Sequence, residues 1–172
     1  MTRRLHALLA TALATAFFCA TTLAQAPLSE SPITTGFWSF PNHKPATPQD
    51  VIAVCRDHFE IRFADGHFIG LKMHKIESNL VRRDVEDVGR CAFNREKQID
   101  NCELKIIHSD GSILAGTTEN RYSFDGHKTL KMTVTPKMIT DTPFSNAPFD
   151  TFPVRCSDDS VWSILNESSP PK

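Results

Sequence analysis

The sequence lacks the patterns that most often reveal a function. It contains no Gly-x-Ser-x-Gly nucleophile elbow, no phosphate-binding P-loop and no glycine-rich dinucleotide turn. Its histidines show no His-x-His or His-Glu-x-x-His spacing, and its cysteines form no Cys-x-x-Cys pair. Because geometry and not sequence order defines a catalytic site, an enzyme stays open. The absences favour a protein that is not an enzyme, and we predict no catalytic residue, no metal and no cofactor.

An excess of basic residues is also lacking. The chain has 19 Lys plus Arg against 20 Asp plus Glu, and removal of Arg3 and Arg4 with the N-terminal segment leaves 17 against 20, a formal charge of −3. This balance argues against binding to nucleic acid or to anionic membranes. No second long hydrophobic run follows the N-terminal one.

Residues 1–26 have the composition of a signal peptide. Arg3 and Arg4 precede an apolar stretch, and Ala-Gln-Ala at 24–26 resembles a signal-peptidase site. Cleavage after Ala24 is an alternative because Pro27 would otherwise follow the cut directly, and an uncleaved anchor is another. We predict a periplasmic or secreted bacterial protein, free of the membrane after cleavage, whose residues 27–172 form one β-rich globular domain and a monomer.

Four cysteines remain after that cleavage, which suits disulfides in an oxidising compartment. Antiparallel pairing of Cys91 with Cys102 would place 96–97 at the centre of the intervening turn. This geometry favours a disulfide between Cys91 and Cys102 and leaves Cys55 to pair with Cys156. Zinc is the alternative, and the cysteine spacing disfavours it.

The stretch 59–73 alternates on both sides of an Asp-Gly turn, which is a strong hairpin signal. A three-residue loop with Gly66 in the left-handed conformation would put Phe63 opposite His67 and collect the apolar side chains on one face, whereas a two-residue loop would mix the faces. We predict that the first face is inside and the second outside. The first face holds Phe59, Ile61, Phe63, His67, Ile69, Leu71 and Met73; the second holds Glu60, Arg62, Phe68, Gly70, Lys72 and His74.

The remaining patterns predict strands with one or two short helices. Thr47 as a cap and Pro48 at the first helical position predict a helix over 48–58. Over 80–88 a helix is slightly preferred to a strand. Gly116 indicates a bulge or bend in its strand. Further strands are expected at 36–40, 91–94, 103–109, 112–124, 128–135 and 154–156. The predicted fold is mainly β, an antiparallel sheet or small up-and-down barrel with two disulfides.

Gly36, Phe37 and Trp38 stand before the run of hairpins, and here the chain resembles lipocalin-like proteins, whose first strand carries a Gly-x-Trp signature. The resemblance covers these three residues and the strand-rich layout. It implies a small barrel, with Trp38 at one end and an apolar ligand cavity. We therefore predict a non-catalytic binding protein for a small apolar molecule, although the same side chains would equally fill a dry core. The predicted ligand-binding residues are Trp38, Phe59, Ile61, Phe63, Ile69, Leu71 and Met73.

A second hypothesis is a protein partner. The proline-rich segment 136–153 carries Phe144, Phe149 and Phe152, and exposed rings there would favour binding to a secreted protein, for example as an inhibitor of a hydrolase. An enzyme would instead need His67 or His108 close to a carboxylate in an open cleft.

Overall fold

The structure is a computed structural model that describes residues 28–77, 80–125, 129–139, 146–159 and 161–162. The predicted signal peptide and Phe144 lie outside these ranges. The elements are β1 (Gly36–Ser39), α1 (Pro48–Asp57), β2 (His58–Arg62), β3 (His67–Glu77), β4 (Leu80–Asn94), β5 (Ile99–Ile107), β6 (Ile113–Asp125), β7 (Thr129–Ile139), β8 (Phe149–Thr151) and β9 (Val154–Arg155).

The nine strands form one antiparallel sheet in the order β8-β7-β6-β5-β4-β3-β2-β1-β9. The sheet curls into a half-barrel, and disulfides join Cys55 to Cys156 and Cys91 to Cys102. The predicted mainly β fold, with one helix and these two pairings, is confirmed. The edge strands β8 and β9 have only three and two residues, which limits pairing with other chains.

One face of the sheet carries buried side chains across almost its whole width. We call it the inner face, because curling of the sheet over it accounts for this burial. The segment 28–35 crosses this face and is held there by two hydrogen bonds. Trp38 Nε1 donates to Thr34 O, and Ser31 Oγ donates to Asp100 Oδ2. We call the opposite side the outer face. Alternation along the strands and cross-strand pairing place on the inner face Trp38, Glu60, Arg62, Phe68, Asp87, Cys91, Cys102, Asp100, Asn120, Met132 and Val134.

The predicted turn of the β2–β3 hairpin is confirmed. Ile61 lies opposite Ile69, and Phe63 N donates to His67 O at 2.9 Å. Gly66 has a φ of 87°, and a Cβ there would lie 2.3 Å from the carbonyl oxygen of Cys91. Only glycine combines that backbone conformation with that close approach to β4.

The expectation that the hairpin has one inside and one outside face is wrong. Glu60, Arg62 and Phe68 on the inner face are only 8%, 9% and 4% exposed, whereas Phe63 on the outer face is 44% exposed. Near Phe59 the outer face is covered by α1, and near Phe63 it meets solvent. The curled sheet meanwhile buries the inner face, so both faces of β2 are partly covered.

Helix α1 follows its predicted start. Thr47 Oγ1 accepts from Asp50 N at 3.2 Å, and the Asp50 carboxylate accepts from Thr47 N at 2.9 Å, which forms a capping box. The helix buries Cys55, and the disulfide to Cys156 joins it to the C-terminal segment.

An apolar core, the outer-face cluster, lies between the sheet, α1 and the C-terminal segment. Its fully packed members are Cys55, Phe59, Met73, Cys156 and Val161, and Phe37, Val51, Ile61, Leu71 and Val154 pack against them. The ring of Phe37 meets that of Phe59 edge-on, with centroids 6.0 Å apart.

Two sequence predictions need correction. The preference for a helix over 80–88 is wrong, because these residues belong to β4, where pairing with β3 and β5 outweighs the approximate helical spacing. Gly116 pairs with both neighbouring strands without a register shift. A Cβ on Gly116 would lie 2.7 Å from Met138 Sδ, so close packing of Met138 explains this glycine.

Candidate binding site on the inner face

Arg62, at the end of β2, is the centre of a polar cluster on the inner face. Its Nη2 lies 2.5 Å from Glu60 Oε2, and its Nη1 donates to Cys91 Sγ at 2.9 Å. The guanidinium stands 4.3 Å from the ring centroid of Phe68 and 5.4 Å from that of Phe40. Charge pairing and contact with two aromatic rings therefore hold this side chain in place.

Two carboxyl groups accompany this guanidinium. Burial raises the pKa of Glu60 from 4.5 to about 7; the charge of Arg62 opposes the rise and that of Asp87 adds to it. Asp87 projects over Gly70, where a Cβ would lie 1.8 Å from its Oδ1. Burial raises the pKa of Asp87 as well, while the charge of His58 opposes that rise. Two carboxyl groups whose charged forms burial disfavours therefore lie beside the Arg62 guanidinium.

The buried polar atoms of this cluster are paired to different degrees. Glu60 Oε2 pairs with Arg62 Nη2, and Asp87 accepts from a backbone N–H of β3. His58 Nε2 lies 3.4 Å from Glu86 Oε2. Arg62 Nε is buried and has no hydrogen-bond partner among the residues that the structure describes. Buried polar atoms in folded proteins nearly always have partners, and one without a partner costs about 1–3 kcal/mol, so the Arg62 side chain is held on the inner face at a cost in stability.

A cleft of about 290 Å³ opens beside Arg62, between the inner face and the segment 28–35. Asp100 lines it and accepts from Ser31 Oγ at 2.7 Å and from the Tyr122 hydroxyl. Burial and the Asp100 charge raise the pKa of Tyr122, which keeps that hydroxyl protonated. The volume is at the lower end of the range for small-molecule sites, roughly 300–1,000 Å³. Other lining residues are Ile33, Thr34, Cys91 and Phe93.

The structure does not bring all the predicted ligand-binding residues together. Trp38 lies on the inner face opposite Glu60, whereas the other six lie on the outer face. Those six divide again, because Phe59 and Met73 are buried, Ile61 and Leu71 pack against them, and Phe63 is exposed. The sequence analysis missed Arg62, Glu60 and Asp100. Polar residues that alternate along a strand are usually exposed to solvent, and nothing in the sequence distinguished these buried residues from exposed ones.

The two histidines named for an enzyme have different surroundings. His67 Nδ1 is 2.7 Å from Asp65 Oδ2, but both side chains are mostly exposed at the hairpin tip, where Asp65 also accepts from His67 N. His108 lines a cleft of about 440 Å³ together with Asp84 and Glu86. The enzyme hypothesis stays a prediction.

The aromatic residues predicted to bind a partner are also placed differently from one another. Phe149, in the edge strand β8, is 48% exposed, whereas Phe152 is half-buried.

Among the described residues, no group of three or more His, Cys, Asp or Glu is arranged to hold a metal ion. No helix in the described part of the chain has the length and hydropathy to span a membrane.

Comparisons with protein-family models, with curated proteins and with solved structures gave no match to this chain. The likeness to lipocalin-like proteins therefore rests on Gly36, Phe37, Trp38 and the strand layout alone.

Proposed function

We propose that this is an exported, non-catalytic binding protein that holds a small molecule in the cleft between the inner face and the segment 28–35. The observation that carries the proposal is Arg62. It lines the cleft, and Glu60, Phe40 and Phe68 hold its side chain in place. A charged donor fixed at the wall of a cleft is the arrangement that orients a ligand in small-molecule sites.

The chemistry of the cleft narrows the class of ligand. The Arg62 guanidinium can only donate, so the ligand needs a hydrogen-bond acceptor. Asp100 already accepts two hydrogen bonds from the protein, and Ile33 and Phe93 add apolar walls. The proposed ligand has an apolar body and an accepting end such as an amide or a carboxylate. This refines the expectation of a purely apolar ligand.

Native mass spectrometry of the protein after export into the periplasm tests this function first. We expect an adduct that is lost on denaturation and is reduced in the Arg62→Lys variant, which keeps the charge but removes Nε as a guanidinium donor. Arg56→Lys on the exposed side of α1 is the matched control and should keep the adduct.

Ring compounds of known chemistry give a second test. Trp38 Nε1 donates to Thr34 O at 2.8 Å, so Trp38 fluorescence reports on the wall of the cleft in a Trp162→Phe background. Benzamide has an acceptor and toluene does not. We expect a saturable change with benzamide, at least about tenfold weaker in Arg62→Lys because a hydrogen bond to a charged group is worth about 1.5–3 kcal/mol. No adduct and no benzamide response would contradict the proposed function.

A protein partner is the second candidate, and the exposure of Phe149 on the edge strand β8 favours it. The measurement is inhibition of a panel of secreted proteases and glycosidases. Phe149→Ala should abolish any inhibition, whereas Phe63→Ala, a similarly exposed ring elsewhere, should not. Absence of inhibition across the panel would count against this candidate.

A further inference from the structure

The two sulfur atoms of one disulfide each accept a hydrogen bond. Cys91 and Cys102 lie directly opposite each other in β4 and β5. Arg62 Nη1 donates to Cys91 Sγ at 2.9 Å, and Asn120 Nδ2 donates to Cys102 Sγ at 3.3 Å. A disulfide that serves only as a cross-link has no need of a donor at either sulfur. A thiolate does, because a nearby cation or donor stabilises its negative charge.

This disulfide is also within reach of solutes. Cys91 is half-buried and lines the 290 Å³ cleft under the segment 28–35. The other disulfide is different, since Cys55 and Cys156 are each 1% exposed within the apolar outer-face cluster.

We propose that Cys91–Cys102 is a reactive disulfide that exchanges with dithiols, whereas Cys55–Cys156 is a permanent cross-link. The assignment follows from the donor at each sulfur and from the inner-face cleft that Cys91 lines. Exchange rates rise when the departing thiolate is stabilised, and both departing sulfurs here have a donor already in place. The activity is distinct from ligand binding, although Arg62 takes part in both.

The exchange proceeds in two steps that balance. A thiolate of an external dithiol attacks Sγ of Cys91, the less buried of the two residues; the S–S bond breaks, and Cys102 leaves with the electron pair beside Asn120 Nδ2. The second thiolate of the reductant then attacks its own sulfur in the mixed disulfide, and Cys91 leaves beside Arg62. The dithiol is oxidised by two electrons to a cyclic disulfide, and its two protons reach Cys91 and Cys102 through solvent.

Timed reduction of the folded, oxidised protein tests the proposal. The full mature chain is treated with dithiothreitol, quenched with iodoacetamide at intervals, and mapped by peptide mass spectrometry at all four cysteines. We expect Cys91 and Cys102 to be labelled at least about tenfold faster than Cys55 and Cys156 while circular dichroism stays native. Rates in urea, where both bonds are exposed, provide the reference. Equal native rates, faster labelling of Cys55 and Cys156, or labelling only after unfolding would overturn the proposal.

Variants at Arg62 separate guanidinium chemistry from simple exposure. Arg62→Gln should slow reduction of Cys91–Cys102 by about tenfold, because the guanidinium beside Cys91 Sγ no longer attracts the attacking thiolate, and Arg62→Lys, which keeps the positive charge, should restore most of the rate. The double variant Glu60→Gln with Arg62→Gln avoids an unpaired buried carboxylate and serves if the single variant does not fold. Unchanged rates in the glutamine variants would overturn the role of Arg62.

Discussion

The two faces of the β2–β3 hairpin are built from alternating residues of the same short strands, yet they hold different chemistry. The outer face near Phe59 packs against α1 and the Cys55–Cys156 disulfide in a cluster of apolar side chains. The inner face buries Glu60 and Arg62 beside Cys91–Cys102. Near Phe59 the outer face is an apolar core, whereas near Arg62 the inner face holds buried charged groups.

The difference follows from the cost of burying charge. Apolar packing on the outer face stabilises the fold directly, at roughly 25 cal/mol for each Å² removed from water. An ion pair buried on the inner face contributes little net stability, because desolvation offsets most of the attraction. We therefore expect the outer face to contribute more to stability than the inner face, where we propose that a ligand binds, and the predictions below compare the two faces.

The largest expected effect is loss of the disulfide on the outer face. Cys55 and Cys156 are 101 residues apart in sequence, and Cys91 and Cys102 are 11 apart. In the chain-entropy model, replacing both cysteines by alanine lowers the free energy of unfolding by about 4–5 kcal/mol for the first pair and about 3 kcal/mol for the second. Urea unfolding of the two double variants measures this. A larger loss for Cys91–Cys102 would contradict the assignment of the permanent cross-link.

Two phenylalanines on the outer face, one buried and one exposed, should contribute very differently to stability. Phe59→Ala removes a fully buried side chain and should cost about 3–5 kcal/mol. Phe63→Ala is the matched control four residues along the strand, and its exposed ring should contribute less than about 1 kcal/mol. Thermal unfolding of both variants is the measurement. Equal losses would mean that the outer-face cluster extends to the hairpin tip.

The inner face should make stability depend on pH. The folded pKa of Glu60 is about 7, above the 4.5 of an unburied glutamate, so the native protein holds this proton over a range where the unfolded chain has lost it. The stability due to this group is complete below pH 4.5 and is lost as pH rises through about 7, a change on the order of 3 kcal/mol. Asp87 acts in the same direction.

Urea unfolding at several pH values measures this effect, with Glu60→Gln as the comparison. The variant should lose most of the fall in stability between pH 4.5 and 7. The exposed Glu119, whose pKa the hydrogen bond from Lys137 lowers, provides the control Glu119→Gln, which should keep the fall. A fall that is identical in wild type and Glu60→Gln would assign the proton to another group.

The smallest effect concerns the helix that covers only the outer face. Thr47→Ala removes the capping box of α1 and should cost about 1 kcal/mol. Because α1 does not cover the inner face, reduction of Cys91–Cys102 under native conditions should keep its rate. Unfolding and timed alkylation of the same variant report both quantities, and a change in that rate would mean that the two faces are coupled.

Local chemistry explains which features could be predicted from sequence. The turn at Gly66, the cap at Thr47 and the pairing of Cys91 with Cys102 each depend on a few neighbouring residues, and all three are confirmed. The strand at 80–88 depends on pairing with distant partners, so its helical spacing was misleading.

The candidate site could not be predicted for a similar reason. Alternation places Glu60 and Arg62 on the same face, but it does not say whether that face meets water. Burial comes from curling of β3 to β7 over the inner face and from the segment 28–35, and neither has a short-range signal. The proximity of Arg62 to Cys91 likewise depends on how the hairpin turn meets β4.

Burial of the polar inner face is tested most simply by titrating the Glu60 side chain with carboxyl ¹³C NMR. The Glu60 signal is assigned by comparison with the Glu60→Gln variant. We expect the Glu60 carboxyl to titrate with a midpoint at about pH 7, because the inner face keeps it away from water beside Arg62 and Asp87. A midpoint near the ordinary 4.5 would show a hydrated inner face and would contradict the buried polar site on which the proposed function rests.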